Sequence, residues 1–245
     1  MLFKAVNKAL KTIGYKIVLD NDFGVFAQGS PVIDGNYALF SYTKADGSFD
    51  YDRYRSIQEE GNKRKLDNVW ALEDNIGFLS QYLHKTIGQA HFGLCHGTRR
   101  GKEQEWFKKH IGGNVRVIGT EISETASQFP DTIQWDFHEV KPEWINQIDF
   151  IYSNSFDHSY DPEKCLNAWI SCLKPGGLCI LEHTDAHSQK GANELDPFGA
   201  HIIQMPYLVA KWGKGRYSVR EILKAPTKNA NVDYVAFIVI QKHLP

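Results

Sequence analysis

The stretch FGLCHGTRRGKEQEWF, residues 92–107, decides how this chain is read. An apolar strand-like run leads into a turn, and the turn leads into a helix-like run. Gly93, Gly97 and Gly101 recur at every fourth position. The spacing is neither G-x-G-x-x-G nor the G-K-[ST] of a phosphate loop. Glycine is the default residue wherever backbone bends sharply, so the turn alone reads equally as a tight strand-to-helix connection. A ligand reading rests on the free N–H groups at a helix start, which favour an anionic group, and on Arg99 and Arg100, whose guanidinium groups can bind a carboxylate bidentately.

Downstream, strand-like runs alternate with helical patterns. The runs are HFGLC (91–95), VRVIGTEI (115–122), TIQW (132–135), DFIYSN (149–154) and GLCILEH (177–183), with helical patterns clearest at 101–111 and 162–173. Such alternation argues for βαβ units and a mostly parallel sheet. SVREILKAP and YVAFIVIQK, joined by the polar TKNANVD, read as a hairpin that ends the sheet antiparallel. The expected fold is α/β: a doubly wound, mostly parallel seven-stranded sheet with an antiparallel C-terminal hairpin.

Upstream the texture differs, and an N-terminal α+β cap is expected over 1–85, with the main domain over 86–245. Phe3, Val6, Leu10 and Ile13 follow a helical period. Lysines interrupt that segment and no small-residue cleavage site follows, so a packed helix is expected rather than a secretory leader, with a peripheral membrane helix as the alternative. YKIVL and YALFSYT read as short strands. Leu66, Val69, Trp70, Ile76, Leu79 and Leu83 predict a helix over about 65–84. A formal net charge of −1 argues against a broad nucleic-acid footprint, and 42% hydrophobic with 23% charged residues is ordinary globular composition. No apolar run of about 18 residues predicts a membrane span. The four cysteines form no C-x-x-C pair, which points to a reducing, cytoplasmic compartment.

Glu121 ends the second strand about 20 residues beyond Gly101, where an acidic residue can accept ribose hydroxyls. Asp136 follows the third strand, and Ser153 and Asn154 end the fourth. Ligands of such sheets lie in the crevice beyond the carboxyl ends of the strands. With the LKPGG turn (Leu173 to Gly177), the acidic strand end and the W-D-F of Trp135 to Phe137, the region from about 88 to 241 resembles a class I S-adenosylmethionine-dependent methyltransferase. The resemblance implies S-adenosylmethionine as cofactor, Glu121 on its ribose, Asp136 on the adenine amino group and Phe137 beside the adenine. It implies that Gly97 and Gly101 admit the methionine half, with Thr98, Arg99, Ile122, Ser153 and Asn154 around the same crevice. The chain departs from the family in lacking an acidic residue ahead of the first motif glycine, where Phe92 to Cys95 stand, and its glycine loop is one residue longer. Arg99 or Arg100 is expected to take the cofactor carboxylate; the alternative is that both are solvated or meet an acidic substrate.

Methyl transfer to a hydroxyl needs alignment and a base. Two clusters can supply one: Asn154 to His158 after the fourth strand, and Glu182 to His187 after the fifth. His158 is the first choice, with Asp157 beside it, and His183 the second. The same carboxylates and histidines suit Mg²⁺ or Mn²⁺, although no resident metal ligands are assigned. His138 is expected to be structural and His96 to orient the glycine loop; for each histidine the alternative is a hydrogen-bonded structural role. The basic, aromatic run RYRSIQEEGNKRKLDNVW could take a polar substrate or be a solvated helix start, and LDPFGAHIIQMP (195–206) lies where a substrate loop would. The expected function is methyl transfer to a small-molecule acceptor, a hydroxyl of a sugar or other polar metabolite. Nucleic-acid methylation, an inactive S-adenosylmethionine-binding module and nicotinamide redox chemistry are the competing classes. The acceptor and the oligomeric state are not legible.

Overall fold

The computed structural model describes residues 32–244. The expected amphipathic helix over Phe3 to Ile13 and the YKIVL strand lie outside them. The described chain opens with β1 (Val32–Asp34) and β2 (Tyr37–Leu39), then α1 (Tyr51–Arg64) and α2 (Glu73–Ile87). The alternating part follows: β3 (Phe92–His96), α3 (Lys102–Ile111), β4 (Arg116–Glu121), β5 (Thr132–Gln134), β6 (Ile148–Ser153), α4 (Pro162–Cys172) and β7 (Leu173–Thr184). Short β8 (Phe198–Gly199), α5 (Met205–Gly213), β9 (Tyr217–Lys224) and β10 (Val235–Lys242) complete it.

Seven strands form one sheet in the order β5-β4-β3-β6-β7-β10-β9. The pairs from β5 to β7 are parallel, and β10 runs antiparallel to both β7 and β9. The order reverses between β4-β3 and β6, which opens a crevice beyond the carboxyl ends of those strands. A separate three-stranded sheet, β1-β2-β8, joins the N-terminal part to the segment after β7.

The central strands read as continuous apolar runs because both faces are covered. Leu94, Ile151, Cys179, Leu181, Ile238 and Ile240 face one core, against Trp169 of α4 and Leu208 and Trp212 of α5. Their alternating neighbours Cys95, Phe150, Leu178, Ile180, Phe237 and Val239 face the other, against Ile76, Leu79 and Leu83 of α2 and Phe107 of α3. All four cysteines are buried and unpaired.

The helix expected over 65–84 is displaced. It begins at Glu73, and residues 65–72 form a connection from α1. Ile76, Leu79 and Leu83 of α2 pack on the sheet, whereas Tyr54 and Ile57 of α1 belong to a separate cluster with Phe40 and Tyr42. Gly93 is not part of the glycine turn. It lies inside β3, where an added Cβ would sit 2.2 Å from the Phe150 ring. Gly93→Ala is therefore expected to destabilise the fold by roughly 1–3 kcal/mol through overpacking. Chemical denaturation checks this, and a midpoint unchanged from the native chain counts against that packing role.

Candidate functional site

Five loops at the carboxyl edge of the sheet, with α1 laid across them, enclose two adjoining clefts. The narrower is lined by Tyr54, Asn62, Gly97, Glu121, Ile122, Asp136 and Phe137, among others. The wider is lined by Trp70, Thr98, Arg100, Glu103, Asn154, Asp157, His187 and Asp196, among others. Lys65, Gly97, Arg99, Ser155 and His158 line both, so the clefts communicate at the glycine turn and the loop after β6.

Local chemistry shapes the turn. Gly97 has φ +72°, and an added Cβ would lie 2.6 Å from Ser155 Cβ. A side chain there would be strained and would block the passage between the clefts. Arg99 holds φ +42°, a left-handed conformation uncommon for a non-glycine residue. That conformation is held on both sides: its N–H donates to Glu121 Oε2 at 3.2 Å, and its guanidinium donates to Asn68 O at 3.1 Å. Arg100 donates to Asp67 O at 3.2 Å. Both arginines thus tie the 65–72 connection to the turn.

Glu121 is buried and accepts from the N–H groups of Arg99 and Ser123. Burial outweighs these bonds and pushes its carboxyl above the usual range. Asp136 is the converse. Burial would raise it, but hydrogen bonds from the His138 ring and backbone, and from Tyr51, hold it low. His138 Nδ1 donates to Asp136 Oδ1 at 2.7 Å, leaving Nε2 to accept from Ser159 at 2.8 Å. Tyr51 of α1 donates to Asp136 Oδ2 at 2.8 Å. Phe137 is fixed through its carbonyl, which accepts from Trp169 Nε1 at 2.8 Å.

The wider cleft holds buried polar atoms with few partners. Thr98 Oγ1 has none. Glu103, on the first turn of α3, is 5% exposed, and Asn154 Nδ2 donates to it at 3.4 Å. Burial pushes its carboxyl up to about 7. Glu182, which does not line this cleft, is bonded to Tyr152 at 2.7 Å and likewise pushed up to about 7 by burial. Over the narrower cleft, α1 holds the loop after β6: Tyr54 donates to His158 O at 3.1 Å and Gln58 bonds His158 Nδ1 at 2.8 Å.

Of the expected residues, Gly97, Arg99, Glu121, Ile122, Asp136, Phe137 and His158 line the narrower cleft, and Thr98, Asn154 and Asp157 line the wider one. Three lie elsewhere. Gly101 is the left-handed residue that starts α3. Ser153 is fully buried and donates to His96 O at 2.9 Å. His183 is spent on Ala200 O at 3.0 Å and Tyr234 at 3.1 Å, and burial lowers its pKa to about 4. His96 stacks on Trp169 with ring centres 4.6 Å apart and bonds Thr120 at 2.8 Å; burial lowers its pKa to about 3, so it stays neutral. Asp185 accepts from Asp233 N at 2.7 Å, away from the clefts. Glu103, Gln58 and Asp196 were not singled out individually from the sequence, whereas Trp70 was read into a helix and a substrate-binding run. Glu103 alone had a local signal, two residues past Gly101 at a helix start.

Residues 94–181 match the family described as "Methyltransferase domain". Comparison with curated proteins gave no match. Among solved structures, the chain resembles the 1,6-didemethyltoxoflavin-N1-methyltransferase of Burkholderia thailandensis, crystallised with 1,6-didemethyltoxoflavin and S-adenosylhomocysteine. The two share 15% identity over 88% of this chain and 100% of that one, with TM-score 0.61. The N-methyltransferase NodS from Bradyrhizobium japonicum, in complex with S-adenosylhomocysteine, gives 15% identity over 77% and 99% of the chains and TM-score 0.56. The [4+2]-cyclase SpnF gives 9% identity over 84% and 99% and TM-score 0.57. At these identities the likeness is one of fold. The matched stretch runs from β3 to β7, and its sheet order is that of the solved methyltransferase structures it resembles. Among the described residues no helix is long and apolar enough to cross a membrane.

Proposed function

We propose that the chain transfers a methyl group from S-adenosylmethionine to an oxygen of a small polar metabolite. The observation that carries this reading is the junction of the two clefts. One side offers a buried carboxylate, Glu121, and a partly buried one, Asp136, spaced along a narrow slot that suits a nucleoside. The other gathers Asp157, His158 and Asp196. S-adenosylmethionine, when bound, supplies an electrophilic sulfonium methyl, and the chain supplies position and charge.

The residues present suit that cofactor. Glu121 accepts hydroxyls at the slot, Asp136 an amino group, and the open face of Gly97 admits the ligand between strand ends. Thr98 Oγ1, without a partner, and Glu103, held by a long bond from Asn154, offer polarity at the wider end. Glu103 then stands where a cofactor ammonium needs a carboxylate, in place of the acid absent ahead of the glycines, and Arg99 meets the cofactor carboxylate. The part up to α1 acts as the cap that selects the acceptor, through Tyr54, Gln58 and Lys65 over the junction.

Calorimetry with S-adenosylhomocysteine tests the cofactor half. The native chain binds, and Glu121→Ala weakens binding by roughly 1–3 kcal/mol, the loss of a charged acceptor. No heat of binding at millimolar ligand would sink the reading. Labelled S-adenosylmethionine incubated with a metabolite extract then identifies the acceptor.

A further inference from the structure

Asp157 and His158, after β6, meet Asp196, from the segment between β7 and β8. One ligand atom from each lies within 4.8 Å of the others. The imidazole's orientation is fixed by its neighbours. Gln58 Nε2 donates to Leu195 O at 2.8 Å, so Gln58 Oε1 faces the ring and accepts from His158 Nδ1–H, also at 2.8 Å. In the neutral ring Nε2 therefore carries a lone pair, and it faces Asp196 Oδ1 at 3.5 Å. A lone pair and a carboxylate oxygen repel unless positive charge lies between them. Their separation exceeds the roughly 2.7–2.9 Å of a charge-assisted hydrogen bond. It falls where two ligands of one cation sit, since bonds of about 2.0–2.2 Å place ligand atoms about 3–4.4 Å apart.

Asp157 adds a second, independent sign. Its side chain is 11% exposed, and its Oδ1 is buried with no hydrogen-bond partner. His187 flanks its other oxygen, Nε2 lying 3.6 Å from Oδ2. His187 Nδ1 accepts from Thr184 N at 3.3 Å, so Nε2 carries the proton and points it at the carboxylate. Lys65, Arg99 and Lys102 line the same cleft but form none of the three ligands.

We propose that Asp157, His158 and Asp196 bind a divalent cation at the cleft junction, with coordination positions left open for oxygens of the acceptor. One nitrogen and two carboxylates suit Mn²⁺ or Mg²⁺ in octahedral geometry. An acceptor held this way carries two adjacent oxygens, such as a vicinal diol or a hydroxy acid. Only this assignment of the open positions rests on the methyl-transfer reading; the cation site does not.

The probe is Mn²⁺ alone, titrated into the full chain and followed by loss of the free-ion electron paramagnetic resonance signal. One saturable ion is expected on the native chain. Asp157→Asn and Asp196→Asn each weaken it by roughly tenfold or more, the scale set by lost coordination, and Asp185→Asn leaves it unchanged. Absence of saturable binding up to millimolar Mn²⁺, or native-like binding by a folded Asn variant, overturns the proposal. Asp196 has 31% of its side chain exposed, so its variant tests the site even where the Asp157 variant does not fold. Calorimetry with S-adenosylhomocysteine on the same protein keeps the two readings apart. Cofactor binding without Mn²⁺ binding removes the cation site alone, and the reverse removes methyl transfer alone.

Discussion

His158→Ala lowers kcat by roughly 10²–10⁴-fold and leaves affinity for S-adenosylhomocysteine within about twofold. The expectation follows from where the ring points. Its Nδ1 is spent on Gln58, and its Nε2 stands at the junction of the clefts beside Asp157 and Asp196. On the proposed reading His158 binds or activates the acceptor oxygen, and its removal leaves the hydrogen bonds of the Glu121 and Asp136 slot in place. The size of the loss distinguishes a role in the reaction from packing. A second variant separates ligand from base. Glutamine offers an oxygen that can hold a cation but cannot take a proton near neutral pH. With saturating Mn²⁺, His158→Gln recovers part of the lost rate if the ring is a ligand, and none if it is a base. A kcat within about threefold of native in the alanine variant removes His158 from the chemistry altogether.

The site was legible where a residue's place depends on strand order. Glu121 and Asp136 follow their strands directly, and the sheet order fixes which loops meet, so chain position alone places both in one cleft. The central strands were legible because burial on both faces leaves almost no polar positions. What escaped has two physical causes. The buried face of α1 is polar: Gln58, Asn62 and Gly61 face the site beside Tyr54 and Ile57, so no apolar stripe marks the helix among its arginines, lysines and glutamates. Conversely, Leu66, Val69 and Trp70 keep a helical period without being helical, because Arg99 and Arg100 bond the carbonyls of Asn68 and Asp67 and hold that stretch as a strap on the turn. Asp196 escaped because 38 positions separate it from His158, and tertiary contacts bring its segment back: the pairing of β8 with β2 and the bonds of Arg53 and Gln58 to Glu194 and Leu195.

Glu103→Gln should give a protein that is more stable and binds its cofactor less well. In the folded chain burial pushes Glu103 from 4.5 up to about 7. The unfolded chain releases this proton near the lower value, so between the two the folded state holds the extra proton. Stability contributed by this group is then full below about pH 4.5 and falls as pH rises to about 7. The size of the displacement corresponds to about 3 kcal/mol. Glutamine keeps the hydrogen-bonding shape without titrating, so the stability difference between variant and native chain is flat in acid, grows in favour of the variant up to about pH 7, and is flat beyond. Taking the difference cancels His96, His183 and His187, whose lowered pKa values give a contribution of opposite slope. In the cleft the same carboxyl has the converse effect. A ligand ammonium favours its ionised form, so S-adenosylhomocysteine binds the native chain more tightly as pH rises toward 7 and releases a proton when it binds below that pH. The variant loses both effects and about tenfold or more in affinity, the usual worth of a charged hydrogen bond. Calorimetry in two buffers of different ionisation enthalpy reads the released proton directly. Equal proton release by native and variant chains would mean that Glu103 is a structural acid, and that the charge opposite the ligand's ammonium comes from elsewhere in the cleft.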